Sequence, residues 1–223
     1  PTIAADFSAG PAASIWIVNG YQLAIVVTLL PLAALGEIYG YRRVYLGGVA
    51  LFTVASVACV FSRSLEALTF ARIIQGLGAA GLMSVNTALL RYTVPQAKFG
   101  TAIGLNALFV AVSSTIGPTL AGVMLSSLSW PWLFVINIPL GVAAVLMGFK
   151  SLPENDRSVR KFDVVSAILS ALTFGLLVTT IDSAGNKIGS FVVLLQAAGC
   201  VTAAVLLTRR SLRMTDPLLP LDL

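Results

Sequence analysis

Long hydrophobic stretches separated by short polar segments make up most of this chain. Seven stretches are long enough to cross a hydrocarbon core about 30 Å thick, which takes roughly 20 residues of helix. Backbone groups cannot stay unpaired in lipid, and the alternating pattern of barrel strands is absent, so each stretch is predicted to be an α-helix. The predicted spans are Ser14–Leu35, Val44–Phe61, Leu65–Leu90, Thr101–Leu125, Leu133–Phe149, Val164–Ile181 and Ser190–Leu207. The pattern therefore predicts an all-α polytopic membrane protein with seven transmembrane helices.

The composition agrees with this prediction. Of the 223 residues, 57% are hydrophobic and only 10% are charged, whereas soluble domains carry about 25% charged residues. The mean hydropathy is +0.94. These values exclude a water-soluble enzyme, a disordered protein and a disulfide scaffold. Cys59 and Cys200 lie within apolar stretches without metal-ligand spacing, so both are expected to be small buried side chains, and no metal or cofactor site is predicted.

The positive charges indicate the orientation in the membrane. Of the fourteen basic residues, eleven lie in one alternating set of connectors and only Arg63 and Lys187 in the other. Basic residues mark the cytoplasmic side, so the N-terminus is expected outside and the C-terminus in the cytoplasm of a plasma (inner) membrane. Clusters between apolar stretches are not a nucleic-acid-binding stripe, so no nucleic-acid partner is expected. The eleven residues are Arg42, Arg43, Arg91, Lys98, Lys150, Arg157, Arg160, Lys161, Arg209, Arg210 and Arg213.

The polar segment 150–162, which contains Pro153, divides the chain. We expect an extracytoplasmic segment at 1–13, five bundle helices within 14–149, a cytoplasmic linker at 150–162, a two-helix hairpin at 163–207 and a cytoplasmic connection at 208–223. Residues 1–13 lack the positively charged start of a signal peptide, and we expect the chain to be part of a longer protein.

The third span contains an arginine, which is costly in lipid and is therefore a functional hypothesis. The residues that share its helix face are small or polar, and this stripe is predicted to line a water-filled cavity. The stripe consists of Arg72, Gln75, Gly76, Ala79, Met83 and Asn86.

Other polar side chains are fewer. In the first span, Asn19 and Gln22 either join helices by hydrogen bonds or line the cavity. Asn106 is the one strongly polar residue of the fourth span. Trp16, Trp130 and Trp132 are expected at the membrane interface, where tryptophan is enriched.

Small residues mark two further segments. In the fourth span, Gly117, Pro118 and Gly122 permit close helix contact. In the connector after the first span, Gly36 is expected to end the helix and Gly40 to allow a sharp reversal. Arg42 and Arg43 keep this connector inside, whereas topology does not explain the neighbouring Glu37.

Together these segments resemble the major facilitator superfamily, specifically its fourteen-helix multidrug:proton antiporters. Residues 33–43 (AALGEIYGYRR) are similar to motif A, although Ala33, Glu37, Ile38 and Tyr41 depart from its pattern. Residues 72–78 (RIIQGLG) resemble motif B, and residues 113–122 (SSTIGPTLAG) resemble motif C, with Ser113 and Ala121 in place of glycines. Residues 130–139 are similar to the segment that opens helix 6, and residues 1–6 to the sequence that follows helix 1.

The resemblance implies a fold and roles for these residues. The seven spans would be helices 2–6 of the N-terminal bundle and the two additional helices, and function would need helix 1 and a C-terminal bundle that the chain does not contain. Glu37, Arg42 and Arg43 would form a cytoplasmic gate. Arg72 would face the cavity near a proton-carrying acid, and the helix with Gly117, Pro118 and Gly122 would seal the interface between the bundles. No span contains an acid in its interior, so this acid is expected elsewhere.

We expect a secondary active transporter, not an enzyme, that exports amphipathic or cationic small molecules by proton antiport and alternating access. Its partners would be the bilayer and the substrate, with the proton gradient as energy source. An uptake carrier for a small metabolite and a non-transporting membrane scaffold remain alternatives. A seven-helix receptor lacks its paired extracellular cysteines here, and an intramembrane enzyme lacks a histidine or a buried acid pair. The chain alone is not expected to transport.

Overall fold

The computed structural model of the chain describes residues 3, 6, 7, 10–154, 162–185 and 189–214. In this part all regular structure is helical, and seven helical segments are long and apolar enough to cross a membrane. The fifth segment is interrupted at Ile136, which separates a short helix from a longer one. The helices are α1 (Pro11–Tyr39), α2 (Tyr41–Val60), α3 (Leu65–Thr93), α4 (Phe99–Ser127), α5 (Trp132–Val135), α6 (Asn137–Ser151), α7 (Val164–Gly185) and α8 (Ser190–Ser211).

All seven predicted spans are confirmed, but several helices run beyond the apolar stretch. Helix α1 continues to Tyr39, and the next residue, Gly40, adopts a positive φ of 101°. The amide of Gly40 donates to the carbonyl of Gly36 over 3.0 Å. The prediction that Gly36 ends the helix is therefore wrong, while the reversal at Gly40 is as predicted. Gly36 is instead a packing position, because an added Cβ would lie 2.6 Å from Val85 Cγ1.

Helix α3 lies at the centre and packs against α1 and α2. Its glycines allow the backbones to approach closely, as small residues do between membrane helices. A Cβ on Gly78 would lie 2.5 Å from the backbone nitrogen of Phe52 on α2, and one on Gly76 would lie 2.5 Å from the carbonyl oxygen of Tyr21 on α1. The three helices therefore form the tightly packed part of the fold.

An apolar cluster fills the end of this three-helix unit near the start of α1, with Ile17, Cys59, Leu68 and Trp130 among its members. Trp130 is only 6% exposed, and its indole Nε1 donates to Asp6 over 2.8 Å. Trp130 therefore packs inward and does not face the lipid as an anchoring ring would, because the turn before α5 folds the ring against the bundle. Trp132, two residues later, remains exposed.

Helices α7 and α8 form an antiparallel pair that contacts the rest of the fold through α1. Cys200 on α8 donates from its Sγ to the carbonyl of Thr173 on α7 over 3.4 Å. Helix α4 differs from the others because none of its residues is buried. The fold therefore consists of a packed centre, a peripheral helix pair and one helix with an open surface.

The predicted segments 1–13, 150–162 and 208–223 lie partly outside the described residues, as do Arg157, Arg160, Lys161 and Lys187.

Candidate functional site

The guanidinium of Arg72 is held by protein groups where α1, α2 and α3 meet. Its Nε donates to the carbonyl of Ile17 over 3.2 Å, and its Nη1 donates to Gln75 Oε1 over 2.6 Å. The ring of Tyr21 lies 3.9 Å below the guanidinium carbon, a cation–π geometry. Gln75 in turn donates from Nε2 to Ser56 Oγ over 2.7 Å. The Arg72 charge inside the bundle therefore has direct hydrogen-bond partners on α1 and α3, and Gln75 connects it to Ser56 on α2.

This arrangement divides the stripe that the sequence predicts to line one cavity. Gln75 is fully buried, and Gly76 packs against the α1 backbone. In the described part of the chain neither residue is exposed to a cavity, because helix packing and an internal hydrogen bond occupy them. Met83 is 60% exposed, and Asn86 donates to Asn106 on α4 over 3.1 Å. The C-terminal half of the stripe, with Met83 and Asn86, faces α4 and the open surface beside it.

A cavity of about 230 Å³ lies between α1 and α7. Trp16, Asn19 and Gln22 line it from α1, and Thr179 and Asp182 line it from α7. Asn19 donates from Nδ2 to Asp182 Oδ1 over 3.3 Å. Asn19 thus joins two helices and lines this pocket, which is separate from the cavity predicted around Arg72. The pocket combines a carboxylate, two amides and an indole ring.

Asp182 is the site residue that sequence reasoning missed. Helix α7 continues to Gly185 and therefore includes Asp182, three residues before its end. This position at the edge of the helix does not contradict the expectation that no acid lies in the interior of a span. The apolar stretch ends at Ile181, which set the predicted boundary. The residues Ser183 and Ala184 that follow are compatible with a helix, and this was the available signal.

The face of α4 that contains Gly117, Pro118 and Gly122 is exposed. A Cβ built on either glycine would meet no atom within 4 Å, so no described helix makes the predicted close contact there. The helix is continuous through Pro118. Ser114 and Thr115 donate their hydroxyl hydrogens to carbonyls one turn earlier in the same helix.

The predicted gate residues lie at the end of the bundle where α1 leads into α2. Arg42 donates from Nη2 to the carbonyl of Phe149 over 2.5 Å and lies 3.6 Å from Glu154. Glu154 is largely exposed, so this ion pair contributes little. Glu37 and Arg43 are exposed on either side of Gly40. The arginine contacts therefore connect the start of α2 to the end of α6.

The Asp163 carboxylate joins the start of α7 to the end of α8, at the same end of the bundle as Arg42. Its oxygens accept hydrogen bonds from Arg210 Nε over 3.1 Å and Nη2 over 3.0 Å, and also from the amides of Val165 and Ser166. The hydrogen bond from the Arg210 guanidinium lowers the pKa of Asp163 to about 2. This carboxylate therefore caps α7 and fixes the end of α8.

Seven apolar helical segments with an internal arginine network and a polar pocket define an integral membrane protein of the helical-bundle class. A family model described as the Major Facilitator Superfamily matches residues 1–164. The chain belongs to this superfamily.

Several curated proteins are similar to the chain. It is 47% identical over 225 positions to the uncharacterized transporter YebQ of Escherichia coli, covering all of this chain and 49% of that protein. It is 35% identical over 188 positions to the riboflavin transporter RibZ of Clostridioides difficile, and the match covers 83% of this chain and 41% of that protein. It is 36% identical over 232 positions to the tetracenomycin C resistance and export protein of Streptomyces glaucescens, and the match covers 99% of this chain and 42% of that protein. The chain thus spans about half the length of these relatives or less.

Proposed function

We propose that the complete protein exports amphipathic organic cations by proton antiport and alternating access. The observation that carries this proposal is the pocket between α1 and α7, where Asp182 and Trp16 face the same cavity of about 230 Å³. The Asp182 carboxylate attracts a cation, and an indole face adds a cation–π interaction. The amides of Asn19 and Gln22 can hold the polar part of such a ligand. The export protein among the relatives supports the outward direction.

The orientation is part of this proposal. We infer that the N-terminus lies outside and the C-terminus in the cytoplasm of the plasma membrane, since eleven of fourteen basic residues belong to one set of connectors. In this orientation the Asp182 pocket lies toward the outside, and the contact between Arg42 and Phe149 lies toward the cytoplasm. The open face of α4 would then be available to a second bundle, with Gly117, Pro118 and Gly122 at the contact.

Dye efflux from cells that lack their own exporters tests the proposal. Expression of the complete protein is expected to accelerate efflux of ethidium, and a protonophore is expected to abolish the effect. Asp182→Asn removes the negative charge from the pocket and is expected to raise the KM for the cation about tenfold or more, as the loss of one charge interaction implies. Glu66→Gln is the matched control, because Glu66 is an exposed acid at the same end of the bundle.

Three results of the efflux experiment would contradict parts of the proposal. Efflux that persists with the protonophore would exclude proton antiport. Faster accumulation of the dye on expression would exclude export. An unchanged KM in the Asp182→Asn protein would remove the pocket from the transport route.

Uptake of a small metabolite is the second candidate function. It is favoured by the 35% identity to a riboflavin transporter over 83% of this chain. Uptake of labelled riboflavin into a riboflavin auxotroph would support it, and growth rescue without any ethidium efflux would favour it over export.

A further inference from the structure

A second cavity, of about 570 Å³, lies between the start of α7 and the end of α8. It is independent of the Asp182 pocket, which lies at the opposite end of α7. Its rim is basic and its wall is apolar. The lining residues are Val165 and Leu169 on α7, Leu206, Arg209 and Arg210 on α8, and Arg213 and Met214 beyond the end of α8.

The charged and apolar parts of this cavity are separated along the helix axis. Leu206, Arg209 and Arg213 are three and four residues apart, so they follow one face of α8 and of the turn after it. Leu206 lies about one helical turn further into the bundle than Arg210. On α7, the apolar side chains of Val165 and Leu169 line the cavity, with Leu169 deeper than Val165. The cavity therefore has a cationic end at the helix termini and an apolar side that continues toward the membrane interior.

Asp163 pairs with one of the three arginines that line the cavity. It accepts two hydrogen bonds from Arg210, and this bidentate pair neutralises one guanidinium while fixing the distance between the two helix ends. Among the described residues, no second acid lies within ion-pair distance of Arg209 or Arg213. Arg209 and Arg213 are both exposed and line the mouth of the cavity.

We propose that this cavity binds an anionic phospholipid, with the phosphate between Arg209 and Arg213 and an acyl chain along Leu169 and Leu206. The volume lies within the range of small-ligand sites. Arginine is suited to phosphate because its planar donors match the phosphate oxygens. Val165 and Leu206 are each 49% exposed at the wall of the cavity, so the cavity is open sideways. A free phosphate or a soluble nucleotide would leave that apolar wall uncovered, whereas an acyl chain covers it.

Lipid binding to the purified, delipidated complete protein tests this proposal. Native mass spectrometry with an equimolar mixture of phosphatidylglycerol and phosphatidylcholine is expected to show preferential retention of phosphatidylglycerol. The double variant Arg209→Ala/Arg213→Ala is expected to bind phosphatidylglycerol roughly thirtyfold more weakly, the loss that two basic residues near an anionic headgroup imply. Both arginines are exposed at the protein surface, and the pair of Asp163 and Arg210 stays intact, so the variant is expected to fold.

The matched control is Arg91→Ala/Lys98→Ala, which removes two exposed basic residues near the α3–α4 connection, outside the cavity. It is expected to retain phosphatidylglycerol as the unmodified protein does. Equal loss in the control would show that general surface charge explains the binding. Equal retention of phosphatidylcholine, or unchanged binding by the Arg209/Arg213 variant, would overturn the proposal. Displacement of the lipid by excess inorganic phosphate would show a free-anion site and would overturn it as well.

Discussion

Asn86 on α3 donates a hydrogen bond of 3.1 Å to the side-chain oxygen of Asn106 on α4. Among the described residues, no other side-chain hydrogen bond joins α4 to another transmembrane helix. None of the residues of α4 is buried. Lipid offers an exposed amide no partner, so the pair satisfies two polar groups and attaches α4 at the same time.

Asn106→Ala is therefore expected to lower the free energy of unfolding. Interhelical hydrogen bonds in membranes contribute about 0.6 kcal/mol on average and up to ~1.7 kcal/mol. Denaturation in mixed detergent micelles measures the change. Thr115→Ala is the control, since the Thr115 hydroxyl is exposed and bonds to the carbonyl of Ala111 within α4. An equal loss in both variants would show that the contact between the helices is not what stabilises α4.

Gln75→Met is expected to lower the free energy of unfolding more than Asn106→Ala does, although it conserves the shape of the side chain. The buried amide connects Arg72 with Ser56, and its loss leaves both without this partner. An unsatisfied buried polar group costs about 1–3 kcal/mol, and more where a charge is involved. Thermal unfolding in detergent gives the measurement, with the same substitution at the exposed Gln22 as control.

A double-mutant cycle makes this prediction specific. Once Gln75 is replaced, Ser56→Ala should cost little further stability, because the bond between the two residues is already lost. Fully additive effects of the two substitutions would show that the hydrogen bond contributes nothing to stability.

Two neighbouring glycines on α2 should respond in opposite ways to the same substitution. A Cβ on Gly48 would lie 2.8 Å from the carbonyl oxygen of Gly78 and 3.0 Å from the amide nitrogen of Leu82, both backbone atoms of α3. Gly48→Ala is therefore expected to cost about 1–3 kcal/mol through overpacking. At Gly47 a Cβ meets nothing within 4 Å, so Gly47→Ala should be neutral or stabilise by up to ~1 kcal/mol through helix propensity.

Thermal unfolding of the two alanine variants side by side checks this contrast. Equal melting temperatures for Gly47→Ala and Gly48→Ala would mean that α2 and α3 are not in the close contact seen here.

The number and order of the helices were predictable because hydropathy over about twenty residues depends on the membrane and hardly on the neighbouring helices. The helix ends were less predictable, since a helix can continue past the apolar stretch. This is how α7 comes to include Asp182 and α1 comes to include Gly36. Hydropathy marks where the chain is apolar and does not mark where the i to i−4 hydrogen bonds stop.

The roles of individual polar residues were harder to predict. A helical stripe shows which side chains share a face, but the neighbouring helix determines whether that face is packed or open. Gln75 and Met83 share one predicted face, yet the first is fully buried and the second is 60% exposed. Trp130 likewise depends on its contact with Asp6, which is distant in sequence and leaves no local signal.

The ion pair of Asp163 and Arg210 should make stability depend on pH in one direction. The pKa of Asp163 is lowered from 3.8 to about 2 by the hydrogen bond from Arg210. A group with a lowered pKa stabilises the folded state at every pH above its unfolded value, and this contribution is lost as the pH falls toward the folded value. Asp163→Asn should therefore reduce the melting temperature at neutral pH, with a constant difference down to about pH 5. Below about pH 4 that difference should shrink as the carboxyl of the unmodified protein gains its proton.

Melting temperatures in detergent from neutral to acidic pH measure the profile. Arg210→Gln is the reciprocal variant, and it should show a similar deficit at neutral pH because it removes the main cause of the lowered pKa. In the Arg210→Gln background, Asp163→Asn should cost less than it does in the unmodified protein, since only the contacts of Asp163 with α7 remain to be lost. If the difference between Asp163→Asn and the unmodified protein does not change between neutral pH and pH values well below 4, the pair does not hold α7 and α8 together through charge.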